Sequence, residues 1–187
     1  GIEHAIELVH RLELLGVKSR LIISHASGDE GGDYERRGRN FAAMMNVQTT
    51  FVAEIIGDKR GYTEDGRKIY SLDDVYKQAD LVTYPSTIEG FGNAFLEALY
   101  FKRPIIVNHY SIFAFDIKPK GFRVIEFDGY MTDDTVRQVR DVLQNPELVR
   151  DMVENNYELG KRFYSYGILE RSLKSLIVDL FGVDSLR

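Results

Sequence analysis

The stretch Ser86-Thr87-Ile88-Glu89-Gly90-Phe91-Gly92-Asn93-Ala94-Phe95-Leu96-Glu97-Ala98 decides how this chain is read. It follows the apolar run Leu81 to Tyr84, which has the character of a buried strand. It opens a helix expected over Gly92 to Phe101, with Phe95, Leu96 and Leu99 toward a sheet. The glycines of Gly90-Phe91-Gly92 permit a tight turn and close approach of a ligand. Backbone N–H groups at a helix start, together with the helix dipole, favour a phosphate there. Asn93 and Glu97 are spaced i, i+4 and share a helix face. A Glu97 carboxylate one turn below the phosphate end accepts hydrogen bonds from hydroxyls, as a ribose diol requires. Glu89 lies in the turn itself, within reach of a sugar. A glycine-rich strand-to-helix turn alone is weak evidence, because many such turns serve only the fold.

Outward from this stretch, strands and helices alternate. Ile2, Ala5, Ile6, Val9, Leu12 and Leu15 recur at helical spacing, and Gly16 ends that helix. Leu21 to Ile23 reads as a strand ending at Ser24-His25, Ala26 to Asp33 as a loop, Tyr34 to Asn46 as a helix, and Val47 to Ile56 as strand-containing. Gly57 to Tyr70 carries the hairpin signal Asp65-Gly66. Ser71 with Asp74 forms a capping-box pattern before a helix to Ala79. Further strands are expected over Pro104 to Asn108 and Val124 to Phe127. Helices follow from Asp133-Asp134, from Asn145-Pro146, and around Ile168 to Leu180. This alternation predicts an α/β fold, a Rossmann-like doubly wound parallel sheet covered on both faces. Such sheets bind ligands beyond the carboxyl ends of their strands, which here carry Ser24-His25, Tyr84-Pro85-Ser86 and Asn108-His109-Tyr110. The opening helix has no strand ahead of it, which leaves a place in the sheet unassigned.

Composition narrows the classes. The 187 residues suffice for one domain with a core, and 11 Tyr with 11 Phe argue for a packed globule. A net charge of −5 argues against nucleic acid or an anionic membrane as the main partner. The absence of cysteine excludes disulfides, thiolate metal sites and a Cys nucleophile, and fits a cytoplasmic setting. No apolar run approaches a membrane span.

The pattern Pro85-Ser86-x-x-Glu89-Gly90-Phe91-Gly92-x-x-x-x-Glu97-Ala98 resembles the signature of retaining glycosyltransferases of the GT-B fold, family GT4, the glycosyl transferases group 1. The likeness extends to Tyr76 to Asp80, to Lys102-Arg103-Pro104 and to the final helices; Gly57 to Tyr70 and Tyr110 to Gly121 are least typical. It implies that residues 1–187 are one nucleotide-sugar-binding domain, the C-terminal lobe of an enzyme whose N-terminal lobe holds the acceptor. By match, Glu89 contacts donor-sugar hydroxyls in the catalytic site and Glu97 contacts the nucleotide ribose. Ser86, Gly90, Phe91, Gly92, Asn93 and Ala94 complete the donor site, with backbone amides on sugar and diphosphate. The donor is a nucleotide diphosphate sugar, and no metal or other cofactor is expected. The family's usual Arg and Lys on the diphosphate stand just ahead of the position where this sequence begins, and neither is matched here. A non-catalytic nucleotide-sugar-binding module and a sugar-nucleotide epimerase on the same fold are the alternatives.

Other candidates read as structure. Ser24, His25 and His109 are candidate cleft contacts, but the histidines lack metal-ligand spacing. Asp73-Asp74 and Asp133-Asp134 stand where helix N-termini favour acids. Arg36, Arg37 and Arg39 read as a solvated helix face. Ser24, Ser86 and Ser111 lack the Gly-x-Ser-x-Gly elbow of a hydrolase. Phe163, Tyr164 and Tyr166 read as packing for the final helix.

Overall fold

The computed structural model describes residues 1–24 and 31–182. Helix α1, Ile2–Leu14, buries Ala5, Ile6, Leu8, Val9 and Leu12 along one stripe. It ends as its glycine predicts: Gly16 has φ +81°, its N–H reaches the Glu13 carbonyl at 2.9 Å, and Val17 N–H reaches that of Leu12 at 3.0 Å. Strand β1, Leu21–Ile23, pairs in parallel with β2, Thr49–Phe51, across helix α2, Gly31–Met44. That helix starts three residues before the expected Tyr34, with Asp33 in its first turn. Helical geometry reaches back into the polar Gly31-Gly32-Asp33 because acids suit a helix N-terminus even where apolar periodicity gives no signal.

The segment after β2 forms a small mixed sheet of β3 (Ile56–Gly57), β4 (Gly61–Tyr62) and β5 (Lys68–Ser71), in the order β3-β5-β4. The expected hairpin is β4 with β5, turned at Gly66 with φ +82°. Asp74 accepts from the Ser71 N–H at 3.0 Å and its hydroxyl at 3.1 Å, opening helix α3, Leu72–Gln78, as the capping-box pattern foretells.

The second parallel sheet is β6 (Val82–Tyr84), β7 (Ile105–Asn108) and β8 (Ile125–Phe127), in that order. All four residues of β7 are buried, as a central strand covered on both faces requires. Its alternation divides the core. Ile105 and Val107 join Phe95, Ala98 and Leu99 of helix α4 (Asn93–Tyr100), with Phe113 and Ile117. Ile106 turns the other way, to Leu8 and Leu12 of α1 and to Val136 and Val139 of helix α5 (Asp133–Gln144). Among the described residues, β1-β2 and β6-β7-β8 stand as two wholly parallel sheets rather than one continuous ladder.

Phe113–Ile117, which carries no periodic signal, winds as a wide helical turn with Phe113 and Ile117 buried. Helix α6, Pro146–Tyr164, opens with Asn145 accepting from Glu147 and Leu148 N–H at 3.1 and 3.3 Å. Helix α7, Tyr166–Phe181, buries no residue, and Tyr166 is 91% exposed. The expected packing therefore holds for Tyr164, whose ring lies 4.8 Å from that of Phe91, and fails for Tyr166. The break at Ser165 separates the two helices and turns the tyrosines into different surroundings. Among the described residues no helix is long and apolar enough to cross a membrane.

Candidate active site

The site lies at the carboxyl end of β6, where residues 85–92 lead into α4. Gly92 is the N-cap of α4 and has φ +94°, the left-handed region that a side chain strains to enter. A Cβ there would also stand 2.9 Å from the Tyr84 ring. Glycine is thus required twice, by backbone angle and by contact. Having no side chain, Gly92 offers no capping acceptor to the first N–H groups of α4, so Asn93 and Ala94 present theirs where an anion is favoured.

The turn is held from beneath by aromatics. The Tyr110 hydroxyl donates to the Phe91 carbonyl at 3.0 Å, and the Phe91 ring meets Tyr164 edge-on. Tyr84 and Tyr110 cross edge to face, with ring centroids 5.8 Å apart. Glu89 is half-buried over this pair. Burial first, and then the Glu89 charge, hold the Tyr84 hydroxyl far above its ordinary pKa; burial, Glu89 and Tyr164 push Tyr110 up to about 12. Both phenols are therefore neutral donors at physiological pH, facing a carboxylate.

Glu97 is half-buried one turn into α4, and its carboxylate accepts from the Tyr76 hydroxyl at 2.8 Å. Tyr76 is stacked on Phe101 at 4.9 Å. Burial, then Glu97, raises the Tyr76 pKa well above the usual phenol range. Asn108, buried at the end of β7, donates to the Pro85 carbonyl at 3.3 Å and accepts from Gly129 N–H at 3.0 Å, so it ties together the exits of β6 and β8.

The structure thus brings Ser86, Glu89, Gly90, Phe91, Gly92, Asn93, Ala94 and Glu97 to one strand-to-helix turn. Ser24 stands at the end of β1, and His25 lies outside the described residues. His109 is engaged elsewhere: its Nε2 is 2.5 Å from Glu126, which also takes Lys118 Nζ at 2.6 Å. With Glu126, Asp128 and Tyr130 it lines a pocket of about 340 Å³ that includes no residue of the motif turn. No group of three or more His, Asp or Glu able to hold a metal occurs among the described residues. Arg36 and Arg39 pair with Asp33 and Glu35 on their own helix, as a solvated face does. Sequence reasoning missed Tyr76, Tyr84, Tyr110 and Asn108 as supports. The available signal was position, since Tyr84, Asn108 and Tyr110 stand at strand ends.

The family model "Glycosyl transferases group 1" matches residues 66–159, half of the chain and all of this turn. The chain belongs to this family. The glycosyl transferases group 1 match is supported by curated relatives. The mannosylglucosylglycerate synthase of Thermotoga maritima is 37% identical over 122 residues, 58% of this chain and 29% of that protein. The protein of the same name from Petrotoga mobilis is 40% identical over 96 residues, 51% of this chain and 22% of its own length. The chain thus spans less than a third of the curated relatives it matches. Among solved structures, sucrose-phosphate synthase from Thermosynechococcus elongatus superposes with a TM-score of 0.68 at 17% identity, covering 97% of this chain and 42% of that one. That likeness shows the fold, the α/β lobe of the GT-B architecture that the motif leads one to expect.

Proposed function

We propose that this chain is the donor-binding lobe of a retaining glycosyltransferase, which moves a sugar from a nucleotide diphosphate sugar to an acceptor. The observation that carries the reading is one juxtaposition: the glycine-opened N-terminus of α4 stands between the half-buried carboxylates of Glu89 and Glu97. The helix end suits the diphosphate. Glu97 takes the ribose hydroxyls, and Glu89 orients the sugar, with Ser86 and the backbone of Gly90, Phe91, Gly92, Asn93 and Ala94 completing the donor site.

In the reaction the bond from the anomeric carbon to the diphosphate breaks, and the acceptor oxygen bonds to that carbon on the same face. The acceptor proton is taken up by the departing diphosphate. Charge grows on the leaving group and on the sugar ring, so the protein's contribution is electrostatic and positional. Fixed N–H groups meet the first charge and Glu89 the second. No metal is needed in this scheme. The acceptor and its binding surface belong to an N-terminal lobe of the same protein, in the cytoplasm. The relatives' name describes a product of mannosyl, glucosyl and glycerate units, which makes a mannosyl donor the first to test. The family match over the motif turn supports transfer over epimerisation or plain binding.

Calorimetry of this chain with nucleoside diphosphates and their mannose and glucose esters tests the reading. Binding of the nucleotide without turnover is expected from this lobe, and transfer from the whole protein. Failure of both chain and whole protein to bind any nucleotide diphosphate sugar overturns it.

A further inference from the structure

Tyr84 ends β6 and is 8% exposed. Side chains alternate along a strand, so Tyr84 and Val82 turn to the same face, the one that α4 covers. There both pack in one cluster with Phe95, Ala98 and Leu99. The phenol crosses this layer to the start of α4, where its hydroxyl stands in the space that a side chain at Gly92 would occupy. From there it donates to the Glu89 carboxylate.

Packing alone gives no account of that hydroxyl. A phenylalanine would fill the same volume with no polar atom to satisfy, whereas a buried hydroxyl is a cost unless it is bonded. Glu89 for its part has weak local support, since Thr87, Ile88 and Gly90 around it are exposed. A glutamate in such a turn samples several rotamers, and its charge acts on a ligand from only some of them. A fixed donor beneath it selects among those rotamers before the ligand arrives, so less ordering is left for binding.

The neighbouring phenol serves a different atom. The Tyr110 ring meets Tyr84 edge to face at 5.8 Å, and its hydroxyl donates to the Phe91 carbonyl at 3.0 Å. Tyr110 thus braces the backbone between the two glycines, and Tyr84 braces a side chain. The other carboxylate of the motif is held in the same manner, since buried Tyr76 donates to Glu97 at 2.8 Å. Each of the two glutamates has its own phenol, one carried by β6 and the other by α3.

We propose that Tyr84 is a positioning residue for sugar transfer, acting through Glu89: its hydroxyl sets the carboxylate toward the donor sugar, while Tyr110 sets the backbone beside the diphosphate. The proposal rests on the donor reading given above. It adds that the sugar half and the diphosphate half of the site are braced by different phenols, so that each can be weakened without the other.

Tyr84→Phe removes one oxygen and keeps the ring and its packing. In the whole protein, kcat is read as nucleoside diphosphate released from its mannose and glucose esters, and is expected to fall about fivefold. KM for the ester should move by less than about twofold, and calorimetric affinity for plain nucleoside diphosphate should stay as it was. In a Glu89→Gln background the same substitution should change kcat by less than about twofold, because the charge it acts through is gone. Tyr110→Phe should show the reverse split, with plain nucleoside diphosphate bound about fivefold more weakly. Full kcat in Tyr84→Phe overturns the proposal. So does an equal fall in both backgrounds, or a loss of plain diphosphate affinity alongside kcat; in each case the donor reading stands. Unaltered diphosphate affinity in Tyr110→Phe overturns the division between the two phenols. A Glu89→Gln protein with undiminished kcat overturns the proposal and the sugar role of Glu89 together.

Discussion

The Tyr76 hydroxyl donates to the Glu97 carboxylate at 2.8 Å, and so ties α3 to the face of α4 that carries the proposed ribose contact. A hydrogen bond to a charged group contributes about 1.5–3 kcal/mol when shielded, and less where water competes. Glu97 is half-exposed, so Tyr76→Phe is expected to cost about 1 kcal/mol in thermal unfolding. Nucleoside diphosphate affinity should fall by less than the ~1–3 kcal/mol expected for Glu97→Ala. Calorimetry on both variants checks the order. Unchanged affinity in Glu97→Ala would remove the ribose assignment.

Glu89 takes a hydrogen bond from the Tyr84 phenol and faces a second neutral phenol, Tyr110, and neither cancels its charge toward a ligand. Glu89→Gln keeps size and removes charge. Plain nucleoside diphosphate should bind as before, and the melting temperature should hold. Sugar transfer by the whole protein should fall by at least about tenfold. A stable variant with full turnover would place Glu89 outside the chemistry.

Gly92→Ala meets both a left-handed backbone and the Tyr84 ring. Strain of this kind costs about 1–3 kcal/mol before any clash is relieved. The variant should melt several degrees lower and lose diphosphate affinity together, because the same backbone shapes the helix end. Denaturant unfolding and calorimetry on one preparation measure both.

Asn108→Leu preserves volume and removes the ties to Pro85 and Gly129. A buried N–H left without its acceptor costs about 1–3 kcal/mol, and the loops after β6 and β8 should exchange amide protons faster. Unfolding midpoints and hydrogen exchange report the two effects separately.

Glu126 is one of the carboxylates that contribute to the pH dependence. Its partial burial raises the carboxyl pKa, but Lys118 and His109 outweigh this and leave it below the ordinary 4.5. A depressed folded pKa contributes stability above the unfolded value, lost as pH falls through the folded one. Melting temperature should therefore drop on acidification below about pH 4.5, and Glu126→Gln should flatten that part of the profile. An identical acid profile in the variant would assign the loss to other carboxylates.

Much of this was legible because it is local. Gly16 ends α1, Ser71 and Asp74 open α3, Asn145-Pro146 opens α6, and Asp65-Gly66 turns the hairpin, each through contacts within five residues. The Glu89 to Glu97 turn was legible for the same reason, since strand, glycines and helix follow in order. The early start of α2 at Gly31 and the wide turn at Phe113–Ile117 were not, because neither has apolar periodicity to announce it.

The sequence by itself determined that strands alternate with helices, and that Glu89, Gly92 and Glu97 share one strand-to-helix turn. Those are consequences of chain order and of backbone preferences acting over a few residues. Only the tertiary structure decided what surrounds that turn. Tyr76 reaches Glu97 across 21 positions, Tyr110 reaches Phe91 across 19, and Asn108 joins loops 23 and 21 residues away on either side. It also decided that β1-β2 and β6-β7-β8 stand as separate parallel sheets among the described residues. Such pairings depend on which elements pack together in space, and the entropy of closing long loops is offset only by burial that no short window of sequence contains.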